Sequence, residues 1–118
     1  MNGIRFLNPA MHGALDYLAA AGLMGLPFLL GFTGLSLWLS VAGGAGLIGY
    51  SLLTDYKFGA VRLFSFNVHL ALDLAAAAAF IAAPFLFGWN GIIIAYYLTM
   101  AGGVIGVVAL SETEPTTA

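Results

Sequence analysis

Cysteine is absent from this 118-residue chain, which excludes disulfide frameworks, zinc–thiolate sites and thiol chemistry. Charge is scarce as well. Three Lys/Arg and five Asp/Glu make up 7% of the residues, against roughly 25% in an average soluble domain. A soluble fold of this length would still turn a large surface to water, and so few charges do not cover it. The formal charge of −2 and the lack of any basic cluster exclude nucleic acid as a partner. No Gly-rich run is followed by Lys-Ser/Thr, so a phosphate-cradling loop is excluded. With two histidines and no serine in a strand-to-helix elbow, a Ser/His/Asp triad has no basis either. The chain reads as non-enzymatic.

What remains is apolar. Hydrophobic residues are 62% of the chain and the mean hydropathy is +1.03, so the solvent for most of the surface is expected to be a lipid bilayer. Apolar runs extend from about Pro9 to Phe32, Leu35 to Leu53, Phe66 to Trp89 and Ile92 to Leu110. Each is close to the ~20 residues a helix needs to cross the hydrocarbon core. His12 and Asp16 interrupt the first run, and no small-x-small site follows it, so it is read as a span rather than a cleaved signal peptide.

The chain also repeats itself. Displaced by the distance from Asp16 to Asp73, it aligns without a gap: Arg5 on Arg62, His12 on His69, Pro27-Phe28-Leu29 on Pro84-Phe85-Leu86, Gly31 on Gly88. Arg, His, Asp and Pro are rare here, so coincidence is a poor account. Each copy contains two spans and enters the membrane from the same side, which makes the copies parallel repeats. The predicted fold is an all-α integral membrane protein: four transmembrane helices in two parallel-repeat hairpins, with pseudo-two-fold symmetry along the membrane normal. It forms one membrane domain, 1–118. Repeat 1 covers about 5–55, an interfacial linker about 56–65, repeat 2 about 62–112, and a disordered polar tail 113–118. Asn8 and Ser65 are predicted N-caps, with Pro9 as a first helical residue.

Arg5, Lys57 and Arg62 fall on one side of this topology. By the positive-inside rule both termini are then cytoplasmic. The linker, with Lys57 and Arg62 among Phe58, Leu63, Phe64 and Phe66, is expected to lie on the membrane surface. The segments Gly25-Leu26-Pro27-Phe28-Leu29-Leu30-Gly31-Phe32 and Ala82-Ala83-Pro84-Phe85-Leu86-Phe87-Gly88-Trp89 resemble the motif of SPW-repeat membrane proteins. Leu26 and Ala83 stand in the place of Ser, and Phe28 and Phe85 in the place of Trp. The resemblance covers both hairpins and implies a multi-pass protein of the prokaryotic cytoplasmic (inner) membrane. It implies no reaction and no site residues.

One constellation carries chemistry: Arg5, His12 and Asp16, matched by Arg62, His69 and Asp73. On a helix, i and i+4 share a face, so each His stacks over its Asp. If the two first helices line the axis, all four side chains converge. Three readings follow. The cluster pins the hairpins together in an accessory or scaffold protein, polar pairs in membranes contributing about 0.6–2 kcal/mol. Alternatively it holds a ligand: His12 and His69 could sandwich a haem b, with Arg5 and Arg62 on its propionates, or His12, His69, Asp16 and Asp73 could bind a divalent metal. Finally, paired intramembrane carboxylates could serve a proton or ion conduit. Gly43, Gly44, Gly46 and Gly49, like Gly102, Gly103 and Gly106, form small-residue faces; with Ala45-x3-Gly49, Gly102-x3-Gly106 and the run Ala75 to Ala79 they are expected to pack closely against other helices, in this chain, a homo-oligomer or a larger membrane complex.

Overall fold

The computed structural model describes residues 6–54 and 59–111. Four helices make up almost all of it: α1 (Pro9–Leu29), α2 (Gly34–Leu52), α3 (Phe66–Phe87) and α4 (Gly91–Leu110). There is no strand among the described residues, only two isolated bridges. Arg5, Lys57 and the tail 113–118, all given roles above, lie outside the described residues.

Helices α2, α3 and α4 are long and apolar enough to cross a membrane. At 1.5 Å per residue they extend about 28–33 Å. Helix α1 has 21 residues but carries His12, Asp16 and Tyr17 in its first half, which lowers its apolarity below that of its neighbours. The outer surface is hydrocarbon: Leu29 is 83% exposed and Leu86 76%. A bilayer covers such side chains without penalty, whereas water rejects them.

The helix boundaries follow local chemistry. The Asn8 side chain accepts from the Met11 amide at 2.8 Å, ahead of Pro9 at the first helical position. The Ser65 hydroxyl does the same for Val68 at 3.2 Å. Each satisfies an N–H that the first turn leaves without an intrahelical partner. Helix α3 stops at Gly88, whose φ of 68° is the left-handed cap that glycine adopts at no steric cost. Pro27 and Pro84 lie one turn or less from the ends of α1 and α3.

Helix α1 packs on α2 and α3 on α4 as two antiparallel hairpins. At Gly44, a Cβ would sit 2.6 Å from the Met24 side chain and 2.9 Å from the Ala20 carbonyl, so α1 and α2 approach as closely as glycine permits. The hairpins are joined at both ends. At the turn end, the Ser40 hydroxyl donates to the Leu23 carbonyl at 2.8 Å and meets the Tyr96 hydroxyl at 2.6 Å. Tyr97 donates to the Ser36 carbonyl at 2.5 Å. At the other end, the Leu7 amide donates to Leu110 O at 2.9 Å and the Phe64 amide to Leu53 O at 2.8 Å. These bonds set α1 beside α4 and α3 beside α2, leaving α1 and α3 to face each other across the middle.

The glycine and alanine faces are used in part within this chain. A Cβ on Gly46, Gly49, Gly102, Gly103 or Gly106 would meet nothing within 4 Å, and within Ala75 to Ala79 only Ala77 is buried. Of the expected glycines, Gly44 approaches α1 closely and Gly43 meets the Phe80 ring. Small-residue spacing identifies a face on which helices can pack, and within this chain the part at Gly43 and Gly44 is used.

Candidate metal centre

Where α1 and α3 face each other, His12, Asp16, His69 and Asp73 form a closed, buried group. Both histidines are 0% exposed. The spacing of i and i+4 predicted a His over its own Asp, yet the tighter contacts run across the hairpins. His12 Nε2 lies 2.8 Å from Asp73 Oδ2 and 3.1 Å from Asp16 Oδ2. His69 Nε2 is in hydrogen-bond contact with Asp16 Oδ2 and is 3.5 Å from Asp73 Oδ2. The two nitrogens and two oxygens thus alternate round a ring, and one ligand atom from each residue lies within 4.8 Å of all the others.

The outward nitrogens settle the tautomers. Thr54 Oγ1 is 2.6 Å from the Tyr50 carbonyl and 2.8 Å from His69 Nδ1. A hydroxyl has one proton, and a carbonyl only accepts. Thr54 therefore donates to Tyr50 O and accepts from His69 Nδ1–H. Ser111 repeats this arrangement: 2.6 Å to the Val107 carbonyl and 2.6 Å to His12 Nδ1. With Nδ1 protonated in both rings, each neutral imidazole presents a bare Nε2 lone pair to the ring of carboxylate oxygens. Four acceptors in contact repel unless cations fill the space between them, either protons or a metal ion.

Other side chains hold the group in place. Phe66, fully buried, stacks on His69 with ring centroids 5.8 Å apart and meets His12 edge-on at 5.2 Å. Tyr50 donates its hydroxyl to Asp73 Oδ1. Thr54, Ser111 and Tyr50 were not singled out from the sequence as partners of the cluster. A signal existed: Thr54 and Ser111 are separated by the same interval as His12 and His69, and both carry a β-hydroxyl.

Arg62 is exposed on the segment before α3, and Arg5 lies outside the described residues. Haem does not fit. A macrocycle needs a slot between two axial rings, but each Nε2 here abuts a carboxylate, and the imidazole centroids are 5.4 Å apart at 83°. A divalent ion does fit the donor set. Tetrahedral Zn²⁺ with bonds of about 2.0–2.1 Å places its ligands about 3.4 Å apart, so three of the contacts above need shifts of a few tenths of an ångström to somewhat more. The His69–Asp16 contact must open furthest. Two carboxylates also cancel the charge of the ion, which matters in a low-dielectric interior.

Deeper between the hairpins lies a cavity of about 440 Å³. Asp16, Asp73 and Tyr50 form its polar end; apart from Thr99 the rest of its wall is apolar, with Leu23, Leu47, Ala77 and Phe80 among it. No protein-family model, no curated protein and no solved structure matches this chain.

Proposed function

We propose that this chain is a small, non-enzymatic membrane scaffold whose two hairpins are clasped by one divalent cation, Zn²⁺ by preference, bound by His12, Asp16, His69 and Asp73. The observation that carries this reading is the pair of fixed tautomers. Thr54 and Ser111 take the Nδ1 protons, aiming both Nε2 lone pairs at two carboxylate oxygens. Outer hydrogen bonds of this kind orient histidine in metal sites. Four protein ligands without an open position are the mark of a structural rather than a catalytic ion, hence a clasp and not a hydrolase. Two imidazoles and two carboxylates suit a borderline ion better than Mg²⁺ or Ca²⁺.

In this reading α1 crosses the bilayer with α2, α3 and α4, and its two polar groups are hidden against α3. The chain is a pair of parallel repeats, supported by the matched contacts of Thr54 and Ser111. Both termini lie on the cytoplasmic side of a prokaryotic inner membrane, as the basic residues favour. Kinship with SPW-repeat proteins is part of the proposal, as is assembly with further copies through the open glycine faces of α2 and α4.

Loading detergent-purified protein with Co²⁺ tests it. Bound at the ring, Co²⁺ gives the strong visible bands of a tetrahedral site, absent from His12→Ala and His69→Ala. If the protein binds no Co²⁺ or Zn²⁺ while remaining folded, protons fill the ring and the metal reading falls.

A further inference from the structure

The hydroxyl groups that support the two halves of the ring match except at one place. On the α3 side, Tyr50 donates its hydroxyl to Asp73 Oδ1. Its counterpart is fixed by contacts: Thr54 bonds to the Tyr50 carbonyl and to His69, and Ser111 bonds to the Val107 carbonyl and to His12. Val107 thus occupies the position of Tyr50 and brings no hydroxyl. Among the described residues no hydrogen bond reaches Asp16 Oδ1. The space a tyrosine ring would fill at position 107 is cavity instead: Val107 and Asp16 both line it, with Leu15, Gly22, Met100 and Val104.

From this geometry we infer that the cavity binds a lipid-soluble phenol, whose hydroxyl donates to Asp16 Oδ1 as Tyr50 does to Asp73 and whose apolar body lies between the hairpins. The wall selects for this chemistry. Its polar end holds carboxylates and a tyrosine hydroxyl already committed to one of them, so the head that docks must be a donor. The remaining wall is apolar save Thr99 and rewards an uncharged hydrocarbon body. A volume of about 440 Å³ accommodates an aromatic ring with a short alkyl chain. The inference is independent of whether a metal ion or protons fill the ring, because it uses the carboxylate oxygen that points away from both histidines.

The test uses the full chain in nanodiscs, with a fluorinated hexylphenol and its methyl ether as probes followed by fluorine NMR. Empty nanodiscs give the baseline for partitioning. The phenol is expected to bind saturably and the ether, which keeps the shape but lacks the donor, at least about tenfold more weakly, the worth of a hydrogen bond to a charged acceptor. Val107→Tyr restores the missing hydroxyl from within the chain and fills the space. It is expected to abolish binding of the phenol while leaving the zinc content unchanged. Gly22→Leu is a second way to fill the cavity, since a Cβ there meets only side chains, at 3.5 Å and 3.9 Å; it too is expected to abolish binding. Equal affinity for phenol and ether overturns the inference, as does undiminished binding by either filled variant. Zinc measured on the same samples separates that failure from a failure of the metal reading.

Discussion

Replacing Thr54 by valine removes one hydroxyl and keeps the shape of the side chain, and it tests the tautomer argument at its root. In the native protein the Thr54 hydroxyl accepts the Nδ1 proton of His69 at 2.8 Å while donating to the Tyr50 carbonyl. Valine leaves that N–H buried without an acceptor. His69 then gains by turning its proton towards a carboxylate, and the lone pair needed for the metal is lost. Outer-sphere changes of this kind lower metal affinity by about 10–100-fold, equivalent to about 1.4–2.7 kcal/mol. The assay is competition for Zn²⁺ between the purified protein and a chromophoric chelator. Thr54→Ser keeps the hydroxyl and is expected to bind within about threefold of the parent, since Ser111 already does this work for His12. Ser111→Ala is expected to match Thr54→Val, and the double variant to lose close to the sum of the two. If Thr54→Val binds Zn²⁺ as tightly as the parent, the hydroxyls do not set the tautomers and the reasoning is wrong.

Other outcomes follow from the same contacts. His12→Ala leaves Asp73 buried without its 2.8 Å histidine contact; breaking a buried pair from one side costs about 3–5 kcal/mol, expected as a fall in the thermal midpoint in detergent. Gly44→Ala places a methyl 2.6 Å from Met24 and 2.9 Å from a carbonyl, and overpacking of this sort costs about 1–3 kcal/mol. Gly102→Ala meets nothing within 4 Å and is expected to stabilise by up to about 1 kcal/mol through helix propensity; the opposite signs are checked in one pair of melts. Metal occupancy is expected to fall with pH, because the ligands bind the ion only when deprotonated. Zinc retained on dialysis against a pH series reports this directly.

Much of the fold was legible because it rests on local signals. Asn8 and Ser65 start helices through hydrogen bonds to their own first turns, Pro9 does so through its fixed backbone angle, and the spans carry their length in their composition. The His/Asp group was legible for a related reason: charged and ionisable residues inside apolar runs are costly, so they turn inward. Its wiring was not. Spacing on one helix pairs His12 with Asp16, whereas the shorter contact to Asp73 depends on how α3 lies against α1, which no local pattern encodes. Thr54 and Ser111 were passed over because a lone hydroxyl near a helix end has several cheap local partners, and only the neighbouring histidine gives it a role. The glycine faces were legible only in part. Gly102 and Gly106 permit close packing, but permission is not contact; Gly44 meets α1 inside its own hairpin and Gly43 meets Phe80 of the other.

The account stands most directly on zinc stoichiometry. Protein purified in detergent, saturated with Zn²⁺ and freed of excess metal, is expected to hold one ion per chain by elemental analysis, removable by chelator, and none when His12 and His69 are both replaced by alanine. A folded parent that retains no metal, or a double variant that retains as much as the parent, would contradict the proposal that His12, Asp16, His69 and Asp73 clasp an ion between the two hairpins.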